Sequence, residues 1–388
     1  MTQGAALHPE GDSRPLHPFN CIHDEEERMI PAGNASRLRV GVLFGGRSEE
    51  HAVSVLSATN VIRALSPEKY DAVPIFVTRE GLWILSRLED GTLAQPSHGT
   101  ELCFVPGGHG RVIALPSGGA PYALPGIDIL FPVLHGLHGE DGAVQGLAEV
   151  AQVPLAGCGI PGSANALDKD IAKRLFNEAG IPAARSFTIR SHAVPTFEEL
   201  EHVLGLPVFI KPARQGSSVG VSKVSTRADY EGALSEGFRH DTKLLAEQFI
   251  QGREIECAVL EATDGTLFVS RTGEIIPADR HGFYTYDAKY IDKDGAGLHI
   301  PAELPGKTED AIRALASQAF RALGCDGMAR ADFFLTPDGQ ILINELNTIP
   351  GFTDISMYSK VMAASGINYP EILDRLIAHG LARAEKAC

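Results

Sequence analysis

Short apolar runs that close on glycine alternate with helical periodicity through the first part of the chain. Residues 38–44 are almost wholly apolar and end on Gly45-Gly46, and a helical pattern follows through Leu65. Strand, glycine turn and helix in that order open a doubly wound α/β domain, whose ligands gather at the carboxyl ends of its strands. Runs at 72–77 and 127–133 predict a second and a third strand. Residues 86–122 between them read as a Gly- and Pro-rich insertion. Beyond about residue 160, a helix with Asp168-Lys169 inside it runs to about Gly180, and an apolar strand ends on Lys211-Pro212. A helix over 227–238 then leads to a strand at 244–250, and another strand follows Gln251-Gly252-Arg253-Glu254. Residues 328–347 read as a hairpin, because two β-prone runs are separated by Thr336-Pro337-Asp338-Gly339, with Asp and Gly where a tight turn wants them. Alternation puts Arg330 and Asp332 on one face of its first strand. On the second strand, Glu345 and Asn347 share one face with Ile341 and Ile343.

Length, charge and cysteines narrow the class. A chain of 388 residues with 44% apolar content predicts two or three globular domains. It has no apolar run of membrane-spanning length, so no membrane partner is expected. The net charge of -15 and the lack of any Lys/Arg cluster argue against nucleic acid. Six cysteines lie far apart, with no C-x-x-C pair and no secretory signal, which reads as reduced thiols in a cytoplasmic protein. Residues 1–36, with the acidic run Asp24 to Glu27, lack apolar periodicity and read as a disordered extension.

The hairpin gathers two carboxylates, an amide oxygen and a guanidinium at the end away from its turn. Oxygen ligands of this kind suit Mg²⁺, which prefers one or two protein carboxylates plus substrate phosphates; a solvated edge strand with unrelated charges is the plainer alternative. Lys211 precedes Ala213-Arg214-Gln215-Gly216-Ser217-Ser218-Val219-Gly220, a loop small enough to close backbone amides over a triphosphate. It could equally be a flexible hairpin turn, and Lys169 a solvated helix face. Glu50 alone would complement a helix dipole. His135 and His138 could hint at zinc, which needs a further ligand. Gly157-Cys158-Gly159-Ile160-Pro161-Gly162 matches G-x-G-x-x-G, yet the fingerprint belongs right after the first strand of a βαβ unit, and Pro161 and the late position make this an interdomain turn. Glu247 and Glu254 flank a strand-to-linker junction suited to an adenine slot, though each alone would be a surface residue. The aromatic-rich segment from Phe283 to Tyr290 suggests a lid that orders on binding.

Arg-x-Asp at 330–332 and Glu-x-Asn-Thr-x-Pro-Gly at 345–351 resemble the metal site of the ATP-grasp ligases. Gly-Gly-x-Ser-x-Glu ending at Glu50, His-Gly-x-x-Gly-Glu-Asp-Gly starting at His135, the Lys211-Pro212 to Gly220 run and the 283–290 segment are similar to the D-alanine:D-alanine ligase family. The resemblance covers about residues 38–380. It implies an α/β fold, α+β in the C-terminal half, of ATP-grasp type. After the 1–36 extension it places a doubly wound substrate-binding domain at 37–160, a central domain at 161–247 and a C-terminal domain at 248–388. The last two would clasp ATP between antiparallel sheets, and the last would carry the metal site and an omega loop.

For the site, the resemblance implies Lys169, Lys211 and Lys289 on phosphate, Glu247 near adenine and Glu254 on the ribose. Asp332, Glu345 and Asn347 would hold two Mg²⁺ or Mn²⁺ ions. Glu50 would bind the ammonium of the first D-alanine, joined to Ser217 and Tyr290 in a hydrogen-bonded set, and His135 would border the substrate. Arg330 and the Gly351 amide would stabilise an oxyanion. Ser356 and the Met357 amide would receive the second substrate's carboxylate. The implied activity is ATP-dependent joining of two D-alanines for peptidoglycan precursor synthesis, by a cytoplasmic homodimer. A D-alanine:D-lactate, D-alanine:D-serine or other ATP-grasp carboxylate-amine ligase is the alternative.

Overall fold

The computed structural model describes residues 37–277, 296–353 and 356–387. The expected N-terminal extension and the 283–290 segment with Lys289 and Tyr290 lie outside them. Strand β1 (Leu38–Gly45) is followed by helix α1 (His51–Ala64) and β2 (Tyr70–Val77). Short strands β3 (Trp83–Leu85), β4 (Leu88–Glu89), β5 (Thr92–Leu93), β6 (Thr100–Phe104), β7 (Val112–Pro116) and β8 (Tyr122–Leu124) come next. Then come β9 (Ile129–Pro132) and α2 (Ala143–Ala151). Seven of these strands make one sheet in the order β8-β7-β6-β3-β2-β1-β9, with β1 parallel to both β2 and β9.

Strand β1 is buried and apolar from Val40 onward because both its faces are covered. Val40, Val42 and Phe44 pack with Val55, Ala58 and Val61 of α1, whereas Leu43 packs with Val144, Ala148 and Ala151 of α2. The segment expected as an insertion, 86–122, contributes in part to this sheet: β6, β7 and β8 extend its edge antiparallel beyond β3, while β4 and β5 pair only with each other.

Helices α3 (Ile160–Leu167) and α4 (Lys169–Glu178) lead to a four-stranded antiparallel sheet, β10-β13-β11-β12. Its strands are β10 (Ser186–Arg190), β11 (Val208–Pro212), β12 (Ser222–Val224) and β13 (Lys243–Gln248). Helices α5 (Phe197–Leu204) and α6 (Arg227–His240) cover it, with Leu200, Tyr230 and Ala233 against Val208, Ile210 and Leu244. Lys169 is not inside a continuous helix. Asp168 breaks the run, caps α4 by accepting from Ile171 N at 3.2 Å, and leaves Lys169 as its first residue.

A five-stranded antiparallel sheet, β16-β15-β14-β17-β18, completes the chain. It comprises β14 (Arg253–Glu261), β15 (Leu267–Pro277), β16 (Ala296–His299), β17 (Met328–Leu335) and β18 (Ile341–Asn347). Helix α7 (Gly306–Ala322) covers one face, burying Ile312, Ala316 and Phe320 against Ile255, Ala331 and Phe333. Helices α8 (Met357–Ala364) and α9 (Tyr369–Ala387) pack in the same apolar cluster as α1 and the N-terminal sheet, through Tyr358, Val361, Leu373 and Leu376. No described helix is long and apolar enough to cross a membrane.

The glycine-rich 157–162 turn lines neither cavity described below. A side chain on Gly162 would meet Gly324 O at 2.7 Å and the Cys325 Cα at 2.6 Å, so the turn serves close chain packing.

Candidate active site

Two adjoining cavities lie over the inner faces of the sheets. The larger, about 530 Å³, runs between the four- and five-stranded sheets and is lined by Lys211, Phe249, Glu247, Glu254 and Asp332. The smaller, about 130 Å³, lies between the N-terminal sheet and the β17–β18 hairpin and is lined by Glu50, His135, Arg330, Asn347 and Gly351. Ser356 and Met357 close its far side. Lys169, Ser217 and Glu345 border both. Every described residue that the resemblance assigns to the site thus lines one of two adjoining cavities, whereas His138 and the 157–162 turn line neither; Lys289 and Tyr290 lie outside the described residues.

The hairpin pairs Arg330 with Asn347 and Asp332 with Glu345, which brings the four side chains together away from the turn. One expectation fails here. Ile343 is fully buried with Leu346 under α7 and does not share the face of Glu345. A β-bulge is responsible: Asp332 pairs with Glu345 but Phe333 with Ile343, so Asn344 is an extra residue. That residue flips the alternation, so Ile343 enters the core while Glu345 reaches the cavity.

The cationic groups of the walls, Arg330, Lys169, Lys211 and Arg253, are each paired with a nearby carboxylate, Arg253 with Glu274 at 2.7 Å. Arg330 grips Asp332 with two hydrogen bonds of 2.7 and 2.6 Å and meets Glu256 at 2.9 Å. Asn347 donates to Asp332 Oδ2 at 2.9 Å. Lys169 is 3.3 Å from Glu345 and donates to Gln215 O at 2.8 Å, at the base of the small-residue loop. Lys211 is 2.7 Å from Glu247, whose other oxygen is 2.5 Å from Lys173. Burial alone would raise the Glu247 carboxyl, but Lys211 and Lys173 outweigh it and hold it below the usual range.

The small-residue loop reaches the N-terminal sheet through Ser217, which donates to Glu50 Oε1. A Cβ on Gly216 would stand 2.8 Å from Glu50 Oε2, so a side chain there would displace the Glu50 carboxylate. Glu50 ends the turn after β1 and directly precedes α1.

The wall formed by residues 349–352 is backbone, and side chains from α1 and from the segment between β9 and α2 pin it. His135 Nδ1 is 2.9 Å from Ile349 O, and a carbonyl only accepts, so Nδ1 carries the proton. Burial pushes His135 below its ordinary range, leaving Nε2 as an acceptor for the Ser57 hydroxyl at 3.2 Å. Ser57 Oγ in turn accepts from Phe352 N at 3.2 Å. Glu140 accepts from Ile349 N at 2.9 Å and from Gly136 N at 2.7 Å. Burial, and then the nearby Glu50 charge, push Glu140 up to about 7. At the far end, Ser356 precedes α8 and its Oγ accepts from Thr353 N at 2.9 Å. A Cβ on Gly351 would lie 2.8 Å from that oxygen.

Sequence reading missed Ser57, Glu140, Lys173 and Glu256. Two of them carried a signal. Glu256 follows Glu254 by two on β14, and therefore faces the same way. Lys173 follows Lys169 by four on α4, and therefore lies on the same helix face.

Comparison with known proteins agrees with this geometry. A family profile described as "D-ala D-ala ligase N-terminus" matches residues 39–158, and one described as "D-ala D-ala ligase C-terminus" matches 175–378. The D-alanine--D-alanine ligase A of Brucella suis is 68% identical over 349 residues, spanning 90% of this chain and 99% of its own. The solved D-alanine-D-alanine ligase of Coxiella burnetii superposes with a TM-score of 0.78 at 33% identity, covering 91% of this chain and 96% of its own. The VanG D-Ala:D-Ser ligase of Enterococcus faecalis gives 0.76 at 35%, covering 88% and 99%. With both family profiles filled in order and their site-bearing segments converging on one pair of cavities, this chain belongs to the D-alanine--D-alanine ligase family.

Proposed function

We infer that the chain joins two D-alanines into D-alanyl-D-alanine at the expense of ATP, supplying a peptidoglycan precursor. The observation that carries this reading is the meeting of Glu50 with Arg330, Asn347 and Gly351 in a small cavity that opens, past Lys169 and Ser217, on a groove bearing Lys211. The groove takes the nucleotide: Glu247 toward adenine, Glu254 toward the ribose, Lys169 and Lys211 toward phosphate. The small cavity takes the amino acids. In this assignment residues 37–160 are the substrate-binding part, and 161–247 and 248–388 are the two parts that clasp ATP.

In the first step a carboxylate oxygen of one D-alanine attacks the γ-phosphorus, ADP leaves, and an acyl phosphate forms. Two anions must meet, and the lysines lower that barrier by neutralising the phosphate oxygens. Glu50 holds the ammonium of this D-alanine. In the second step the neutral amine of the other D-alanine attacks the acyl carbon and inorganic phosphate leaves. Arg330 and the Gly351 amide stabilise the oxyanion, where one such donor is typically worth about 3–4 kcal/mol. Ser356 and the Met357 amide orient the second carboxylate at the start of α8, where helix amides favour an anion.

Asp332, Glu345 and Asn347 suit Mg²⁺ or Mn²⁺. Asp332 and Glu345 are cross-strand neighbours, and Asn347 adds an amide oxygen, a hard-donor set that leaves room for phosphate oxygens. Bound there, two such ions would screen the charge of the transferring phosphoryl group. The same reading has the chain act as a cytoplasmic homodimer; Cys103, Cys158, Cys257 and Cys325 are free thiols.

Phosphate release from ATP with D-alanine, L-alanine, D-serine and D-lactate, singly and in pairs, tests the reading. D-alanine alone should suffice, with one phosphate released per D-alanyl-D-alanine. Equal turnover with L-alanine, or D-alanyl-D-serine as the main product of a D-alanine and D-serine mixture, would sink it.

A further inference from the structure

Glu247 is deeply buried and touched by two lysines on opposite sides. Lys211, on β11, lines the groove. Lys173, on α4, lines neither cavity. It is itself buried, its Nζ is 3.2 Å from the Ala184 carbonyl, and it approaches Glu247 from behind. One carboxylate needs one counter-ion, and here it has two.

This asymmetry decides which lysine can leave. A carboxylate buried in a low-dielectric wall cannot lose its last cation without a desolvation cost of several kcal/mol. Were Lys211 alone on Glu247, an anion entering the groove would have to pull it from that charge. With Lys173 fixed behind, Glu247 stays compensated while the Lys211 ammonium turns to phosphate.

We propose that Lys173 is a positioning residue: a stationary counter-ion to Glu247 that releases Lys211 to bind nucleotide phosphate. The proposal rests on the reading of the groove as a nucleotide site. It assigns Lys173 no contact with nucleotide, and a role that exists only because Glu247 is charged. Its effect therefore falls on the phosphates and not on the nucleoside, and it vanishes when Glu247 is neutral.

The experiment is equilibrium titration of the full chain with ADP and, separately, adenosine, for wild type, Lys173→Met, Glu247→Gln and the double variant. Lys173→Met should weaken ADP by about tenfold, as for the loss of one charge-assisted phosphate contact, and adenosine by less than about twofold. The double variant should bind ADP within about threefold of Glu247→Gln alone, an interaction energy being the departure from additivity. Should Lys173→Met not fold, the comparison of Glu247→Gln with the double variant still decides. A merely structural Lys173 weakens ADP on that background too, and that result overturns the proposal. Unchanged ADP affinity in folded Lys173→Met, or equal loss for adenosine and ADP, overturns it as well. A wild-type chain that binds neither ADP nor ATP overturns the groove assignment itself, an outcome distinct from a wild type that binds and a variant that binds equally.

Discussion

The two cavities are walled by opposite means. In the groove, charge is held by charge: Lys211 by Glu247, Asp332 by Arg330, Lys169 by Glu345, between side chains that can exchange partners without any backbone movement. In the small cavity the wall is the backbone of 349–352, and its groups are tied by Ser57, His135 and Glu140 from segments more than 200 positions earlier. An exchangeable wall suits a polyanion that arrives with metal ions. A pinned one suits a reaction whose oxyanion needs amides already in place, since donors that need no reorganisation are worth most. Substitutions on the first wall should cost turnover while sparing the fold; those on the second should cost stability as well, and less turnover.

The largest effect belongs to the groove. Asp332→Asn keeps the shape of the side chain and leaves Arg330 its Glu256 partner, yet it removes the negative charge that faces Glu345 across the strands. Turnover at ordinary Mg²⁺ should fall by more than about a hundredfold, roughly 3 kcal/mol of barrier, with thermal unfolding little changed. Steady-state phosphate release at saturating ATP and D-alanine measures it; a variant keeping a tenth of wild-type rate would remove Asp332 from the metal set.

What could be seen in the sequence follows the same division. Groove residues come in short runs whose pattern survives without the fold: Arg330 and Asp332, Glu345 and Asn347, Lys211 before its loop of small residues. Strand alternation and the hairpin turn were enough to gather them. Alternation failed only at Asn344, because a bulge is set by the partner strand. The pinned wall left almost no trace. Ser57 reads as one more small residue in a helix, and Glu140 as a neighbour of His135, because their partners are backbone groups 295 and 209 positions on, and any residue there offers an amide. Lys173 showed only its helical spacing from Lys169, and its role stayed hidden for another reason: its partner Glu247 was assigned outward to nucleotide, and which carboxylate a buried lysine meets cannot be read from spacing. The edge strands of 86–122 were hidden by the Gly and Pro of their turns.

The second effect sharpens the contrast by pH. Glu140 is pushed up to about 7 from 4.5, first by burial and then by Glu50, so in the fold it keeps a proton that the unfolded chain releases near 4.5. A carboxyl with a raised folded-state value stabilises fully below the unfolded value, and that contribution is lost as pH rises through the folded one. Relative to Glu140→Gln, wild-type stability should therefore fall by up to about 3 kcal/mol between pH 4.5 and 7 and level off above, at 1.36 kcal/mol per unit. Denaturant unfolding of both proteins at several pH values provides the difference. A difference flat with pH would mean that Glu140 is ionised throughout, with Gly136 N, Ile349 N and Arg330 outweighing its burial.

The smallest effect is the most selective. Ser57→Ala takes one oxygen from the middle of the chain of bonds that runs from Phe352 N through Ser57 to His135 and on to Ile349 O. Nothing replaces it at a fully buried site, so Phe352 N–H is left without that acceptor, at a cost of about 1–3 kcal/mol in stability. Phe352 O keeps its bonds from Tyr369 and Asn60, and Glu140 still holds Ile349 N, so the loop should loosen without being released. Gly351 lies between the two tied residues, and it and Ser356 line the small cavity proposed for the amino acids. KM for D-alanine should accordingly rise by about fivefold, near 1 kcal/mol, while KM for ATP stays within about twofold. Ser57 touches no part of the groove, so an equal rise in both constants would show that the two walls move as one body, and the division between an exchangeable and a pinned wall would have to be abandoned.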